Sequence, residues 1–420
     1  MSHYVVQGGQ TLRGSVPISG AKNSVLPILA ATLLNGGRNV LHNCPDLRDV
    51  RSALQILEHL GCKTRREGDT VTVDSSVVDR WDVPHELMRE MRSSVIFLGP
   101  ILARCGRARL SLPGGCDIGQ RPIDLHLSAL RKLGVHIREQ GGDILCEAPE
   151  LRGRDIILSF PSVGATENTL LTATACSGTT RIINAAREPE IADLQEFLRK
   201  AGACVQGGGE SIVTVSGEMP RRDVEHTILP DRIEAATFLC ACAACGGEIT
   251  LTGAEPEHVG TVIQCLTDGG CTVRTAGRTI TIHAPKRLGS MPTVRTMPYP
   301  GFPTDSQAPL MAAACTAQGS ALFIETIFEN RFRHAAELMR MGADIRISGR
   351  TALVTGTPLR GARVRSTDLW GGAALVIAAL AAQGESMVED LTHIDRGYEH
   401  FARKLTALGA DIRRVDDQGN

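Results

Sequence analysis

The sequence predicts an α/β protein of two pseudo-symmetric domains with three repeated units each, and three observations carry that prediction. One pattern recurs six times along the 420 residues: an amphipathic helix, a glycine, a strand and a second strand. Each recurrence also has an earlier helix that is apolar nearly all round and rich in small residues. The composition, 42% apolar with only 3% aromatic and 44 glycines, describes cores packed from Ala, Val, Leu and Ile. Length alone allows two or three domains at roughly 100–200 residues each.

In chain order the recurring segments are "ILEHLGCKTRREGDTVTV", "ALRKLGVHIREQGGDILC", "FLRKAGACVQGGGESIVTV", "CLTDGGCTVRTAGRTITI", "LMRMGADIRISGRTALV" and "KLTALGADIRRV". Gly61, Gly134, Gly202, Gly270, Gly342 and Gly409 mark them, at intervals of roughly seventy residues, the period of a duplicated supersecondary unit. A glycine after an amphipathic helix reads as its C-terminal cap, and the alternating residues that follow read as strands. The apolar helices are "KNSVLPILAATLL", "SSVIFLGPILARC", "TENTLLTATAC", "IEAATFLCACAAC", "DSQAPLMAAACTA" and "GGAALVIAALAAQ". With no polar face, each is expected to be buried on every side.

A buried helix still presents free N–H groups and a positive dipole end at its start, and such ends are anion sites. Charged or amide side chains cluster at these starts: Lys22, Asn23, Arg92, Glu167, Asn168, Arg232 and Asp305. The break between domains is expected around "EHTILPDR". Residues 22–229 then form one domain, carrying Cys116, and residues 1–21 with 230–420 the other. The opening strand, "YVVQGGQTLRG", is expected to close onto the second domain.

Composition also removes function classes. Lys and Arg number 45 against 46 Asp and Glu, so no global basic field draws nucleic acid or membrane, and few aromatics leave little surface for base stacking. The apolar runs are too short to span a bilayer, and the start "MSHYVVQGGQTLRG" does not read as a signal peptide. Thirteen cysteines, scattered through apolar segments, read as mostly reduced, small buried residues of a cytoplasmic protein. In "CACAAC", Cys240 and Cys242 point to different faces of one helix. No second CxxC or His pair accompanies them, and His126 and His393 lack ligand spacing, so neither metal nor cofactor is expected.

The stretch "LPGGCDIGQRPIDLHL" sets Cys116 after two glycines and follows it with Arg121. A turn needs the glycines but neither the thiol nor the guanidinium, and a cationic neighbour lowers a thiol's pKa; Asp117 works against it. This stretch and "SGAKNSVLPILAATLL", "SVGATEN", "INAAREPEI", "LPDRIE", "FPTDSQA", "ETIFENRF" and "HIDRGYE" run in one order along the chain. In that order and spacing the chain resembles the UDP-N-acetylglucosamine 1-carboxyvinyltransferase family of enolpyruvyl transferases. The resemblance implies a two-domain inside-out α/β barrel of six βαβαββ repeats. It implies transfer of the enolpyruvyl group of phosphoenolpyruvate to the 3′-hydroxyl of UDP-N-acetylglucosamine, early in peptidoglycan synthesis.

The resemblance also implies roles. Cys116 matches the loop proton donor that forms covalent adducts with phosphoenolpyruvate and with fosfomycin. Lys22, Asn23 and Arg121 match the phosphate site, and Arg331 and Arg396 match ligands of the phosphoenolpyruvate carboxylate. Arg92, Arg121, Pro122, Ile123, Asp124, Leu125, Ser162, Val163, Gly164 and Ile327 match the nucleotide-sugar site, and Asp305 matches the base near the sugar hydroxyl. One position departs from the pattern: after "TDL" the family usually has an arginine, and here Trp370 stands. An indole offers one donor and no charge, so losing a charge-assisted contact costs about 1.5–3 kcal/mol of carboxylate binding. Two other readings use the same residues: transfer to another acceptor such as shikimate 3-phosphate, and a silent UDP-N-acetylglucosamine-binding paralogue, which Trp370 alone favours. The oligomeric state is not readable from these features.

Overall fold

The computed structural model describes residues 2–91, 93–111 and 123–416. They form two compact units: one runs to Ser19 and resumes at Pro230, and the other runs from Gly20 to Leu229. Each unit has its own apolar core.

Among the described residues each unit contains three four-stranded sheets of one design. In the unit that resumes at Pro230, Val294–Arg295 pairs in parallel with Ser320–Ile324, across the crossover that holds a buried helix. Ser320–Ile324 then pairs antiparallel with Thr351–Thr355, which pairs antiparallel with Asp344–Ser348. The mixture follows from the connections, because parallel neighbours need a long crossover while a tight turn makes antiparallel ones.

Three sheets are completed by strands distant in sequence. Val224–Thr227 lies parallel to Arg38–His42, so the Gly20–Leu229 unit is closed by its own last strand. In the other unit Leu12–Pro17 lies parallel to Gly247–Thr252, and Ser2–Gln7 pairs antiparallel with both Glu385–Glu389 and Asp411–Asp416. The opening segment, read from the pattern as one strand, is therefore two strands in two sheets. The break falls at Gly8, where a Cβ would sit 2.2 Å from the Ala382 carbonyl oxygen.

The helices Lys22–Asn35, Leu98–Cys105 and Val163–Ala173 lie at the centre of one unit. Arg232–Cys245, Gln307–Ala314 and Leu369–Ala381 lie at the centre of the other. Nearly all their residues are buried, whereas strands such as Thr351–Thr355 alternate buried and exposed positions. Sheets with one face to solvent therefore surround apolar helices, the inside-out arrangement. Small residues set the helix spacing: a Cβ at Gly99 would lie 2.6 Å from the Asn168 carbonyl oxygen. Two helix starts are tighter than the pattern implies, opening with the 3-10 turns Ser94–Phe97 and Thr304–Ser306.

The outer helices are amphipathic. Arg48–His59 buries Asp49, Val50, Ala53, Ile56 and Leu57 on one stripe. The six marker glycines that follow these helices have φ between +89° and +107°, a left-handed conformation that side chains resist.

Candidate active site

In the unit that resumes at Pro230, the candidate residues gather at the starts of two central helices. Asp305 sits in the 3-10 turn that leads into Gln307–Ala314. Arg331 is 3% exposed, and its Nη2 donates to Asp305 Oδ1 at 2.8 Å and to the Thr304 carbonyl at 3.3 Å. Its guanidinium carbon lies 5.5 Å from the centre of the Phe328 ring, within cation–π range. The structure thus joins two residues that stand 26 positions apart in sequence.

Asp368 caps the neighbouring helix Leu369–Ala381, its Oδ1 accepting from the N–H groups of Trp370 and Gly371 at 3.1 Å each. Burial raises the Asp368 carboxyl, but Arg331, those N–H groups and His334 together outweigh it and hold the group below its ordinary range. His334 is fully buried, and burial drives its ring down to about 4, with Asp368 raising and Arg331 lowering it. Arg331 is therefore flanked by the electrostatic influence of two carboxylates, Asp305 and Asp368.

Trp370 is 7% exposed, and its ring meets Tyr398 edge-on at 5.7 Å. Tyr398 in turn packs on Phe401 and hydrogen-bonds Thr237 at 2.7 Å. Arg396 lies in the 3-10 turn Ile394–Arg396, two residues before Tyr398, and is half-buried. Ile327 is half-buried in the loop after Ser320–Ile324. At the third central helix Asp231 caps the N–H groups of Ile233 and Glu234, and Arg232 lies over the ring of Tyr299.

In the Gly20–Leu229 unit, Lys22 is the first residue of its helix, and Ala21 before it supplies no side-chain cap. A cation at a helix start is disfavoured by about 0.3–1 kcal/mol. The Asp49 carboxylate, 1% exposed, offsets this by meeting Lys22 Nζ at 2.9 Å. Asn23 is half-buried beside it. Ser24 donates to Asp193, which also accepts from His226 Nε2 at 2.9 Å and from the Leu229 N–H at 3.3 Å.

The segments Ile123–Leu125 and Ser162–Gly164 are brought together by His126. A Cβ on Gly164 would lie 2.8 Å from His126 Cε1, and His126 Nδ1 lies 2.8 Å from the Asn168 amide nitrogen. Asp124 is exposed, while Ile123, Leu125, Ser162, Val163 and Gly164 are half-buried. Asn168 also accepts from the Gly99 N–H at 2.7 Å and donates to the Val95 carbonyl, so it serves as a link between helices. Glu167 is buried beside it, and burial, then Glu190 and Glu188, hold its carboxyl well above the ordinary range. Cys116, Arg92, Arg121 and Pro122 lie outside the described residues.

Asp49, Asp368 and His334 were absent from the sequence-based set, and two of them leave a signal. Asp49 occupies a position on the apolar stripe of Arg48–His59, where a charge needs a partner. Asp368 precedes an apolar run, the placing of an N-cap. His334 shows only as a ring among buried positions of Arg333–Arg340.

The comparisons with known proteins agree with one another. The family model for EPSP synthase (3-phosphoshikimate 1-carboxyvinyltransferase) matches residues 6–405. A UDP-N-acetylglucosamine 1-carboxyvinyltransferase 1 of Symbiobacterium thermophilum is 52% identical over 98% of this chain and 95% of its own length. A UDP-N-acetylglucosamine 1-carboxyvinyltransferase 2 of Caldanaerobacter subterraneus is 49% identical over 99% of this chain and all of its own. The crystal structure of the enolpyruvyl transferase NikO from Streptomyces tendae is similar with a TM-score of 0.90 at 28% identity, over 99% of both chains. An EPSP synthase of Acinetobacter baumannii, 18% identical with a TM-score of 0.72 over 99% of this chain and 100% of its own, shares the fold.

Proposed function

The chain belongs to the enolpyruvyl transferase family, and on that premise we propose that it moves the enolpyruvyl group of phosphoenolpyruvate onto the 3′-hydroxyl of UDP-N-acetylglucosamine and releases phosphate. The observation that carries this reading is the near-full-length likeness to carboxyvinyltransferases of that nucleotide sugar. The reaction would act in the cytoplasm at the start of peptidoglycan synthesis, upstream of cell shape and division. No metal or cofactor enters it.

Asp305 takes the proton of the sugar hydroxyl as its oxygen bonds to C2 of phosphoenolpyruvate, and Cys116 gives a proton to the methylene carbon. The tetrahedral adduct then breaks its C2–O bond to phosphate and loses a methyl proton, which restores the double bond in the product. Lys22, Asn23 and Arg121 hold the phosphate, where fixed cations and donors stabilise the charge that grows on it. Arg331 and Arg396 hold the carboxylate. Arg92, Ile123, Asp124, Leu125, Ser162, Val163, Gly164 and Ile327, with Arg121 and Pro122, hold the nucleotide sugar. The bond from Arg331 to Asp305 supports this assignment, since one ion pair orients both the base and a carboxylate ligand. Trp370 turns its ring onto Tyr398, so the carboxylate depends on the two arginines.

Phosphate release from purified protein tests the proposal. Release that needs both phosphoenolpyruvate and UDP-N-acetylglucosamine, and stops after fosfomycin treatment with a covalent adduct on Cys116, is the expected result. Release with shikimate 3-phosphate in place of the nucleotide sugar, or no release at millimolar phosphoenolpyruvate, would refute it.

A further inference from the structure

Glu325 follows the strand Ser320–Ile324 and is 1% exposed, and its carboxylate meets no Lys, Arg or His in an ion pair among the described residues. A buried carboxylate without a counter-charge is costly unless hydrogen bonds satisfy it. Four neutral donors do so here. Oε1 accepts from the Thr296 hydroxyl at 2.9 Å, the Ile327 N–H at 2.8 Å and the Phe328 N–H at 3.1 Å. Oε2 accepts from the Thr304 hydroxyl at 3.0 Å.

These donors come from two loops that lead to the candidate site. Thr296 and Thr304 bound the segment that ends at Asp305, and Ile327 and Phe328 begin the segment that ends at Arg331. Arg331 meets the Thr304 carbonyl, Asp305 and the Phe328 ring. Each belongs to a residue that Glu325 grips or to its immediate neighbour. A connection that only joined strands could be completed by backbone pairing, without a carboxylate between its loops.

We propose that Glu325 is a positioning residue: its carboxylate fixes the two loops against each other and so sets the Asp305–Arg331 pair. The inference rests on the roles given above to Asp305 and Arg331. Thr304→Val keeps the side-chain volume and removes the hydroxyl donor at Oε2. It is expected to lower kcat and raise the phosphoenolpyruvate KM, kcat by about tenfold, the scale of one hydrogen bond to a charged group. The UDP-N-acetylglucosamine KM should stay near wild type, the unfolding midpoint should fall by the loss of one buried hydrogen bond while the protein stays folded under assay conditions, and Thr304→Ser should restore turnover. Glu325→Gln, whose amide oxygen can still take the three donors at Oε1, should keep more activity than Glu325→Ala. Wild-type kcat in Thr304→Val, a loss that merely tracks the unfolded fraction, or no recovery in Thr304→Ser would overturn the proposal. If the wild-type enzyme proves inactive with these substrates, the functional reading fails on its own. A crystal structure of Thr304→Val then decides the positioning role: a displaced Asp305–Arg331 bond supports it, and an unchanged one at 2.8 Å refutes it.

Discussion

The helix that begins at Lys22 and the helix that begins at Leu369 hold equivalent places in the repeat, yet their starts are built in opposite ways. Asp368 takes two N–H groups at the head of Leu369–Ala381, and the residue that follows Leu369, Trp370, buries its ring against an aromatic neighbour. At the other start Ala21 offers no side-chain cap and the first residue is a cation, held by a buried carboxylate from the next helix. One start is finished internally, by the kind of cap that stabilises any helix. The other sets a positive side chain where the helix dipole is already positive, an arrangement that favours a bound anion. On the proposed assignment, a duplicated scaffold lets one position serve stability and its counterpart serve binding.

The sharpest way to break this comparison is Lys22→Ala. It takes the Lys22 ammonium away from the buried Asp49 carboxylate, so stability should fall, by at most about 3–5 kcal/mol, and turnover should be lost in the fraction that stays folded. Denaturant unfolding with phosphate-release kinetics on the same samples checks both; full stability would mean that the ion pair does not support the helix start. Trp370→Arg brings a cation to the capped start. The expected result is a phosphoenolpyruvate KM roughly ten- to a hundred-fold lower, from the regained charge-assisted contact. An unchanged KM would show that Arg331 and Arg396 already suffice.

Asp368→Ala removes the cap and should cost about 0.5–2 kcal/mol. It also carries a pH signature. Because the folded state holds the carboxyl below its ordinary value of 3.8, the stability it contributes is present above that value and is lost as pH falls through the lower folded value. Thermal unfolding of wild type and variant should therefore differ most near neutrality and converge in strong acid. A constant gap across that range would mean that the carboxylate's charge plays no part.

What the chain reveals of itself follows the range of the interactions involved. The six repeats and their cap glycines are local patterns, since a helix stripe, a glycine and an alternating strand lie within twenty or so residues. The strands that complete three of the sheets are not legible in this way: Val224–Thr227 beside Arg38–His42 is a non-local pairing that no local pattern specifies. The same division runs through the candidate site. Lys22, Asp305 and Arg331 stand in motifs, but their partners are set by the fold. Asp49 hides in an ordinary amphipathic helix, and Glu325 gives no hint that four donors converge on it. The pairing of Lys22 with Asp49 is a product of how the two helices pack.

The account is tested most directly by isolating the product formed from UDP-N-acetylglucosamine and phosphoenolpyruvate and comparing it with the phosphate released. The reading predicts one enolpyruvyl ether at the 3′-oxygen for each phosphate. Phosphate without the ether would show hydrolysis in place of transfer, and an ether formed on another acceptor in preference to the nucleotide sugar would contradict the substrate assignment.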